Sequence, residues 1–310
     1  MSVALREDPS ATTPMSYYGR PVIKAPTWRW YIGAYLFVGG LAGASAPIAL
    51  AARATRNDAL ARAALAAAFA GVVISPVLLI ADLRDPKRFI NMLRVFKITS
   101  PMSVGSWILT AFGTSVAVAA ASEYTGIATP LGRTAGVLAA LTGPALATYT
   151  AALLADTAVP IWHDARRELP FVFAGGALAS AASCALVFTP VADAKLARRL
   201  ATLGAILEFT SLEVMKRHLG PLVDEPYRLG DAGRYKQIAR VTSALSLAMM
   251  RGAKGNRTLA IASGLLGLAS ACCERFSIFE AGKRSANDPK YTVAPQLARR
   301  AGREGAGAAK

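Results

Sequence analysis

The chain has 310 residues, of which 54% are hydrophobic and only 17% are charged, and its mean hydropathy is positive. Soluble domains average about 25% charged residues and arrange apolar side chains in periodic stripes. Here they form long uninterrupted blocks, which excludes an ordinary soluble domain. The net charge of +16 does not indicate nucleic-acid binding, because Lys and Arg cluster in short segments between these blocks, with no basic stripe of interleaved aromatics.

Five apolar blocks contain no charged side chain, and each approaches the roughly 20 residues that a helix needs to cross about 30 Å of hydrocarbon. They are residues 30–52, 63–81, 98–122, 134–155 and 169–192. Three shorter or more polar candidates follow, at residues 196–215, 238–250 and 259–276. The chain is therefore predicted to be an all-α, polytopic transmembrane helical bundle of about eight spans, and the seventh span is the shortest.

The spans are predicted to form two four-helix sets, in which abundant Gly, Ala and Ser allow close helix approach within the lipid bilayer. A short similarity between residues 37–42 and 173–178 fits either an internal duplication or a shared need for small residues. The predicted organisation is a polar arm at 1–28, a first set at 29–158, a connecting loop at 159–170, a second set at 171–283, and a basic, disordered tail at 284–310.

The loops after the even-numbered predicted spans would lie on the same membrane side as both termini. This side holds more Lys and Arg near the span ends than the opposite side. The positive-inside rule therefore predicts a multi-pass protein of the plasma (inner) membrane with both termini in the cytoplasm. The prediction for the C-terminus depends on the seventh span crossing the bilayer.

The most informative segment follows the second predicted span. It contains Asp82-Leu83, Pro86, Arg88-Phe89, and the run Ser-Pro-Met-Ser-Val-Gly-Ser-Trp from Ser100 to Trp107. Between Pro86 and Ser100, basic residues alternate with aromatic and aliphatic ones, which is typical of an amphipathic stretch lying in the membrane interface. Trp107 is predicted to be an aromatic interface anchor at the start of the third span.

These residues resemble the NrfD/PsrC-like family, the membrane subunits of polysulfide-reductase-type molybdoenzyme complexes. Its members show an Asp-Leu-Gly motif with following Pro, Arg and Phe, and then a Ser-Pro-Met-Ser-x-Gly-Ser-Trp run. Residues 30–43 and 149–173 also resemble family stretches, so the similarity covers roughly residues 28–190. Arg84 stands where the family usually has Gly.

The resemblance implies a haem-free site for menaquinone or ubiquinone that exchanges electrons with a docked iron–sulfur subunit. The molybdopterin catalytic subunit would be a third chain, so this chain would be a subunit without the catalytic centre. The residues agree with this, since three cysteines cannot supply the four thiolates of an iron–sulfur cluster. The two histidines, His163 and His218, both fall at loop positions, which disfavours a transmembrane haem, and no metal site is predicted.

A quinol site needs an apolar slot, a hydrogen-bond donor for the head-group oxygen, and a group that accepts protons. Most candidates lie toward the membrane side that holds the loops after the second and fourth predicted spans. The candidates for proton handling are Asp82, Tyr149, Asp156 and, near the middle of the sixth span, Glu208. The candidates for quinone contact are Tyr31, Tyr35, Tyr149 and His163.

Each candidate also has a structural interpretation. Asp82 would pair with Arg84 or Arg88, and His163 would be a solvated loop residue. Glu208 would pair with a basic residue of a neighbouring helix, and the two tyrosines of the first helix would be interface aromatics.

Two other functions remain open at this stage. The chain could be a structural anchor without a quinone site, or a transporter of small solutes or ions, which interrupted helices and a faint repeat would suit.

Overall fold

The structure, a computed structural model, describes residues 21–83 and 85–297, and the side chain of Arg88 lies outside the described part. Within these ranges the chain is helical and contains no strand. The helices are α1 (Trp30–Ala54), α2 (Asp58–Asp82), α3 (Arg88–Arg94), α4 (Pro101–Thr125), α5 (Thr129–Ala155), α6 (Pro160–Asp164), α7 (Leu169–Phe188), α8 (Lys195–Asp224), α9 (Gly230–Gly252) and α10 (Arg257–Asn287), with a 3-10 turn at Glu225–Arg228 between α8 and α9.

Six of these helices are long and apolar enough to cross a membrane: α1, α2, α4, α5, α7 and α10. The prediction of an all-helical, multi-pass membrane protein is therefore confirmed. The more polar α8 and α9 do not meet the same criterion, so the predicted count of eight spans is not established by hydropathy.

Helix α1 occupies the centre of the bundle, where it packs against α2, α5 and α7 and also touches α10. Small residues make this possible. A Cβ atom at Gly43 would overlap the backbone of Gly143 on α5, and a Cβ atom at Gly71 on α2 would come too close to Ala42. Such close backbone approach strengthens dispersion contacts between helices in lipid, where apolar burial contributes little.

Helix α8 changes direction at Gly220, whose φ of 71° is strained for any residue with a Cβ atom. Pro221 follows and has no backbone N–H for a helical hydrogen bond. The regular part of α8 therefore ends before this pair, and the chain turns through the 3-10 segment into α9.

The loop between α5 and α7 closes one end of the bundle with a buried tryptophan. Trp162 on α6 donates its Nε1–H to the Ile278 carbonyl at 2.9 Å. Its ring is stacked between Trp28, with centroids 5.8 Å apart, and Phe279, at 6.4 Å. A Cβ atom at Gly282 would overlap the indole. This stack connects the segment before α1 to α10.

The two predicted terminal segments are only partly described. Residues 1–20 of the N-terminal arm and residues 298–310 of the tail lie outside the described residues, whereas residues 290–297 are helical. Lys290 pairs with Glu225 at 2.6 Å, and this ammonium group holds the pKa of the Glu225 carboxyl below its ordinary value. The described part of the tail thus packs onto the turn between α8 and α9.

Candidate functional site

A cavity of about 110 Å³ lies between α1, α2, α3, α4 and α5, near the end of the bundle where α2 finishes. Its walls are mostly apolar, formed by Trp28, Ile32, Leu79, Leu83, Phe89, Met92, Met102, Leu109 and Leu153. Four polar side chains also face it, those of Tyr35, Asp82, Ser106 and Tyr149. Apolar walls with a few converging polar groups are the usual composition of a small-molecule site.

The run from Ser100 to Trp107 builds one wall of the cavity by starting α4. The Ser100 hydroxyl caps the helix by accepting from the Ser103 backbone N–H at 3.4 Å, and Pro101 occupies the first turn. The Ser103 hydroxyl donates to the Val95 carbonyl and accepts from the Lys97 N–H, both at 3.0 Å. These bonds fix the loop after α3 against the start of α4.

The same run presents one helical face to the cavity. Met102, Gly105, Ser106 and Leu109 all line it, at the spacings of three and four residues that place side chains on one face. A Cβ atom at Gly105 would overlap the ring and hydroxyl of Tyr149. Gly105 therefore makes room for the tyrosine of α5 to enter the cavity.

Trp107 lies outside this face, at the edge of the bundle. Its indole is 40% exposed and makes an edge-on contact with Phe96, with centroids 6.0 Å apart. Nearby Ile90, Val95 and Ile98 are also exposed apolar residues. Phe89 and Met92 of α3 face the cavity instead, so the short helix separates the cavity from its surroundings.

Tyr35 and Tyr149 place two phenols at the cavity. Tyr35 is 1% exposed, and its hydroxyl makes no hydrogen bond of ordinary geometry with any described residue, although the Tyr149 hydroxyl is close enough to interact with it. A buried polar group without a partner costs about 1–3 kcal/mol. Such a hydroxyl is suited to a ligand oxygen.

Asp82 is the last residue of α2 and is half-buried at the cavity. Its Oδ1 accepts the backbone N–H of Arg29, the residue before α1, at 2.9 Å. The carboxylate therefore joins the end of α2 to the start of α1. Of the pairing partners predicted from the sequence, Arg84 and the side chain of Arg88 lie outside the described residues.

Three other predicted residues do not line this cavity. The ring of Tyr31 lies beside that of Trp30, with centroids 4.4 Å apart. Asp156 follows the end of α5 and is exposed. His163 is also exposed, and its Nδ1 lies 3.1 Å from the Ala155 carbonyl oxygen. The structure thus brings Tyr35, Asp82 and Tyr149 together and places Tyr31, Asp156 and His163 elsewhere.

Glu208 is buried in a separate cluster between α7, α8 and α10. It interacts electrostatically with Arg275 and Glu274 of α10, and its Oε1 has no hydrogen-bond partner among the described residues. The Arg275 guanidinium donates to the Phe173 carbonyl at 2.8 Å and lies over the Phe173 ring. A Cβ atom at Gly176 would overlap the Glu208 carboxylate. Arg275 is thus the basic neighbour that the structural interpretation of Glu208 anticipates.

Some participating residues were not identified from the sequence as site residues. Trp28 and Ser106 line the cavity, and Arg275 is the cation beside Glu208. The spacing of Ser106 from Met102 could have indicated a shared face, and a charged pair inside an apolar block could have drawn attention to Arg275. Across the described residues, no group of three or more His, Cys, Asp or Glu is arranged to hold a metal ion.

Comparison with known protein families accounts for this arrangement. A family model described as "Polysulphide reductase, NrfD" matches residues 22–220, which include every residue lining the cavity. The chain belongs to the NrfD family. This confirms the resemblance found in the sequence, and NrfD proteins are membrane subunits of oxidoreductase complexes. A search of curated proteins gave no match.

The family match ends at the kink of α8. Residue 220 is the glycine at which the regular part of α8 stops, so the match covers α1 to α7 and most of α8. The NrfD assignment therefore describes the part of the chain that contains the cavity and Glu208, while α9 and α10 follow it.

Proposed function

We propose that this NrfD subunit binds a quinone or quinol in the cavity between α1, α2, α4 and α5 and passes electrons between the quinone pool and a peripheral iron–sulfur subunit. The convergence of Tyr35, Asp82 and Tyr149 on one apolar cavity carries this proposal. The same three residues were candidates from the sequence alone, although they belong to three different helices.

The residues at the cavity fit a quinone head group. The head group is a flat, largely apolar ring with two oxygens that need hydrogen-bond donors. The buried Tyr35 hydroxyl without a partner and the adjacent Tyr149 hydroxyl supply such donors. The cavity volume of about 110 Å³ is below the roughly 300–1,000 Å³ of sites for drug-sized ligands. A cavity of this size can hold the head-group ring alone, so the isoprenoid tail of the quinone would extend into the lipid bilayer.

Each polar residue has a separate task in this proposal. A bound quinone or quinol supplies the two-electron, two-proton chemistry. Tyr35 and Tyr149 orient the head group by donating to its oxygens, and Asp82 exchanges protons from its half-buried position at the helix end. The apolar side chains of Trp28 and Phe89 exclude water from the ring. Both menaquinone and ubiquinone satisfy this chemistry.

The electron partner is proposed to dock on the membrane side where the cavity lies. An electron carrier has to approach the quinone, and the cavity is formed near the end of α2, beside the loops that lead into α3 and α4. The iron–sulfur subunit would cover this end, with the molybdopterin subunit beyond it. The positive-inside count predicts that this side and both termini are cytoplasmic, while partner subunits docked outside the cytoplasm, as the family resemblance also suggests, would need the opposite orientation.

Glu208 is proposed as a second proton-exchanging residue, deeper in the bundle. It also faces a small polar crevice between α8, α9 and α10 that includes Lys216, Lys236 and Glu274. An ionisable group inside a membrane protein is costly unless it has such neighbours, and these groups usually mark a functional pathway. The exposed Asp156 and His163 and the aromatic Tyr31 are assigned no step in this mechanism.

We propose that α8 also crosses the membrane. Its regular part, Lys195–Leu219, would be about 37 Å long at about 1.5 Å per residue, which exceeds the roughly 30 Å hydrocarbon core. It runs antiparallel to α7. His218, near its end, contacts Glu168 before α7 at 2.9 Å, and its middle approaches Gly175 so closely that a Cβ atom there would overlap the Glu208 backbone.

Helix α9 is proposed to cross in the same way, antiparallel to α10. The Ser277 hydroxyl donates to the Ala232 carbonyl at 3.0 Å near the start of α9, and the Ser246 hydroxyl donates to the Ser263 carbonyl at 2.8 Å near its end. Eight spans then form two four-helix sets, 29–158 and 171–283, joined by the loop 159–170. Contacts of α1 with α7 and α10 connect the two sets.

Labelling of single cysteines from the two membrane sides tests whether α8 crosses the bilayer. The three native cysteines are first replaced by serine, and Cys is introduced at the exposed Lys195 or Asp231. We expect an impermeant maleimide to label Lys195→Cys from the same side as Asp58→Cys, and Asp231→Cys from the same side as Asp156→Cys. Labelling of Asp231→Cys together with Asp58→Cys would show that α8 does not cross.

Binding of a short-tailed quinone analogue to the purified chain tests the site itself. Tyr35→Phe is expected to weaken binding by about 2- to 10-fold, since one hydrogen bond contributes about 0.5–1.5 kcal/mol. Tyr31→Phe is the matched control on the same helix, outside the cavity, and should bind like the wild-type chain. Equal binding by Tyr35→Phe and wild type would exclude Tyr35 from the quinone site, and no binding by either would favour the structural anchor.

A further inference from the structure

A second groove, of about 950 Å³, lies at the opposite end of the bundle from the quinone cavity. It runs between the first turns of α8 and the last turns of α9, and none of the described residues that line it is acidic. Its basic residues are Lys195, Arg198, Arg199, Arg251 and Lys254. A groove with five basic side chains and no acidic one has a strong preference for an anionic occupant.

The groove is graded along its length from charged to apolar. On α8 the basic residues occupy the first two turns, and Leu203 and Ile206 follow one to two turns later, with exposures of 57% and 54%. On α9 the order is reversed, with Leu247 one turn before Arg251. The two helices run in opposite directions, so both place their basic residues at the bundle end and their apolar residues toward its middle.

Within the described part of the chain, no carboxylate neutralises the cations of this groove. Lys195, Arg199, Arg251 and Lys254 form no ion pair with any carboxylate in the described ranges, and Arg198 donates to the Val191 carbonyl at 3.2 Å. The basic residues nearer the opposite end of α8 and α9 differ. There Lys216 and Arg240 both pair with Glu213, at 2.5 and 3.4 Å.

We propose that this groove binds an anionic phospholipid of the leaflet opposite the quinone cavity. The phosphates would lie between the basic residues of α8 and α9, and the acyl chains would pack against Leu203, Ile206 and Leu247. Basic pockets between transmembrane helices bind such head groups on the cytoplasmic side of membranes, and the attraction between phosphate and guanidinium or ammonium groups is the same in either leaflet. Five cations and the size of the groove favour a lipid with two phosphates, of the cardiolipin class. A soluble anion or an acidic protein segment would leave the apolar half uncovered.

This proposal does not depend on quinone binding, but it does rest on the proposed membrane crossing of α8 and α9. Its occupant would join two helices whose backbones approach each other at few points and which otherwise meet through side chains, as in the pair of Glu213 with Arg240. The lipid would therefore stabilise the second four-helix set by contacting both.

Lipid binding to the delipidated full-length chain tests the proposal. Cardiolipin, phosphatidylcholine, inorganic phosphate and polyglutamate are the probes, with native mass spectrometry and thermal stability as readouts. We expect cardiolipin to bind and stabilise the wild-type chain more than the other three. The double variant Arg199→Gln/Arg251→Gln should bind cardiolipin about 10- to 30-fold more weakly, given about 1 kcal/mol for each basic residue near an anionic surface.

The control is Arg56→Gln/Arg62→Gln, which removes two exposed cations from the same bundle end outside the groove. It should bind cardiolipin like the wild-type chain, and an unchanged circular dichroism spectrum identifies variants that fold. Equal cardiolipin affinity in both double variants would overturn the proposal. So would equal stabilisation by phosphate, which indicates a simple anion site, or by polyglutamate, which indicates an acidic protein partner.

Discussion

Replacement of Asp82 by Asn is expected to lower quinol-linked turnover of the assembled complex by about 100- to 10,000-fold, the range that general acid–base groups contribute. The substitution removes the proton-accepting carboxylate and keeps the side-chain shape. The amide oxygen of Asn can still accept the Arg29 backbone N–H, which Asp82 Oδ1 accepts at 2.9 Å. The connection between α1 and α2 should therefore survive, and the loss should appear in kcat more than in KM.

The control for this prediction is Asp156→Asn, an exposed carboxylate at the same end of the bundle outside the cavity. It should turn over like the wild type. Co-purification of the iron–sulfur subunit measures assembly in each variant. An Asp82→Asn complex that assembles with full activity would exclude Asp82 from proton transfer and leave its contact with Arg29 as its role.

Gly105→Ala is expected to abolish most quinone binding, although it adds only one methyl group. The new Cβ atom would overlap the ring and hydroxyl of Tyr149, so the tyrosine has to leave its position in the cavity. Overpacking of this kind costs about 1–3 kcal/mol. We expect analogue affinity to fall by at least about 10-fold, more than for Tyr35→Phe. The measurement is equilibrium binding to the purified chain.

Gly136→Ala provides the matched control, because a Cβ atom there would lie 4.0 Å from its nearest neighbour, Ala119. It should leave binding unchanged. A double-mutant cycle sharpens the test, since Gly105→Ala should add little to Tyr149→Leu if it acts by displacing that ring. Independent, additive losses would contradict the packing argument and assign Gly105 another role.

The sequence indicated at which end of the bundle the candidate residues lie, but not which of them face the cavity. Counting spans from the apolar blocks places Tyr35, Asp82, Tyr149, Asp156 and His163 toward one end of the bundle, where the structure also has them. The sequence does not determine which helices become neighbours, because this depends on packing of small residues from distant segments. The exposure of Asp156 could therefore not be read from its position along the chain, whereas the exposed His163 matches the structural interpretation given from the sequence.

Hydropathy gave the weakest signal for membrane crossing at α8 and α9, and the reason is physical. Some of their charged residues face one another or α10, as in the pair of Glu213 with Arg240 and the cluster of Glu208 with Arg275. An average over a window counts these groups as exposed to lipid, although partners within the bundle surround them. The predicted start of the third span at the run of residues 100–107 agrees with α4, which begins at Pro101, because a proline in the first helical turn is a local signal.

The position of Trp162 bears on where this chain can be divided. The family match stops at residue 220, yet Trp162 donates to the Ile278 carbonyl, and Arg275 binds the Phe173 carbonyl. A fragment that ends at residue 220 would keep the Trp162 indole and the Phe173 carbonyl. It would lose the groups that they bind, which both belong to α10. We therefore expect the NrfD-matched region and the last two helices to fold as one cooperative unit, and fragment complementation to need both pieces inserted together.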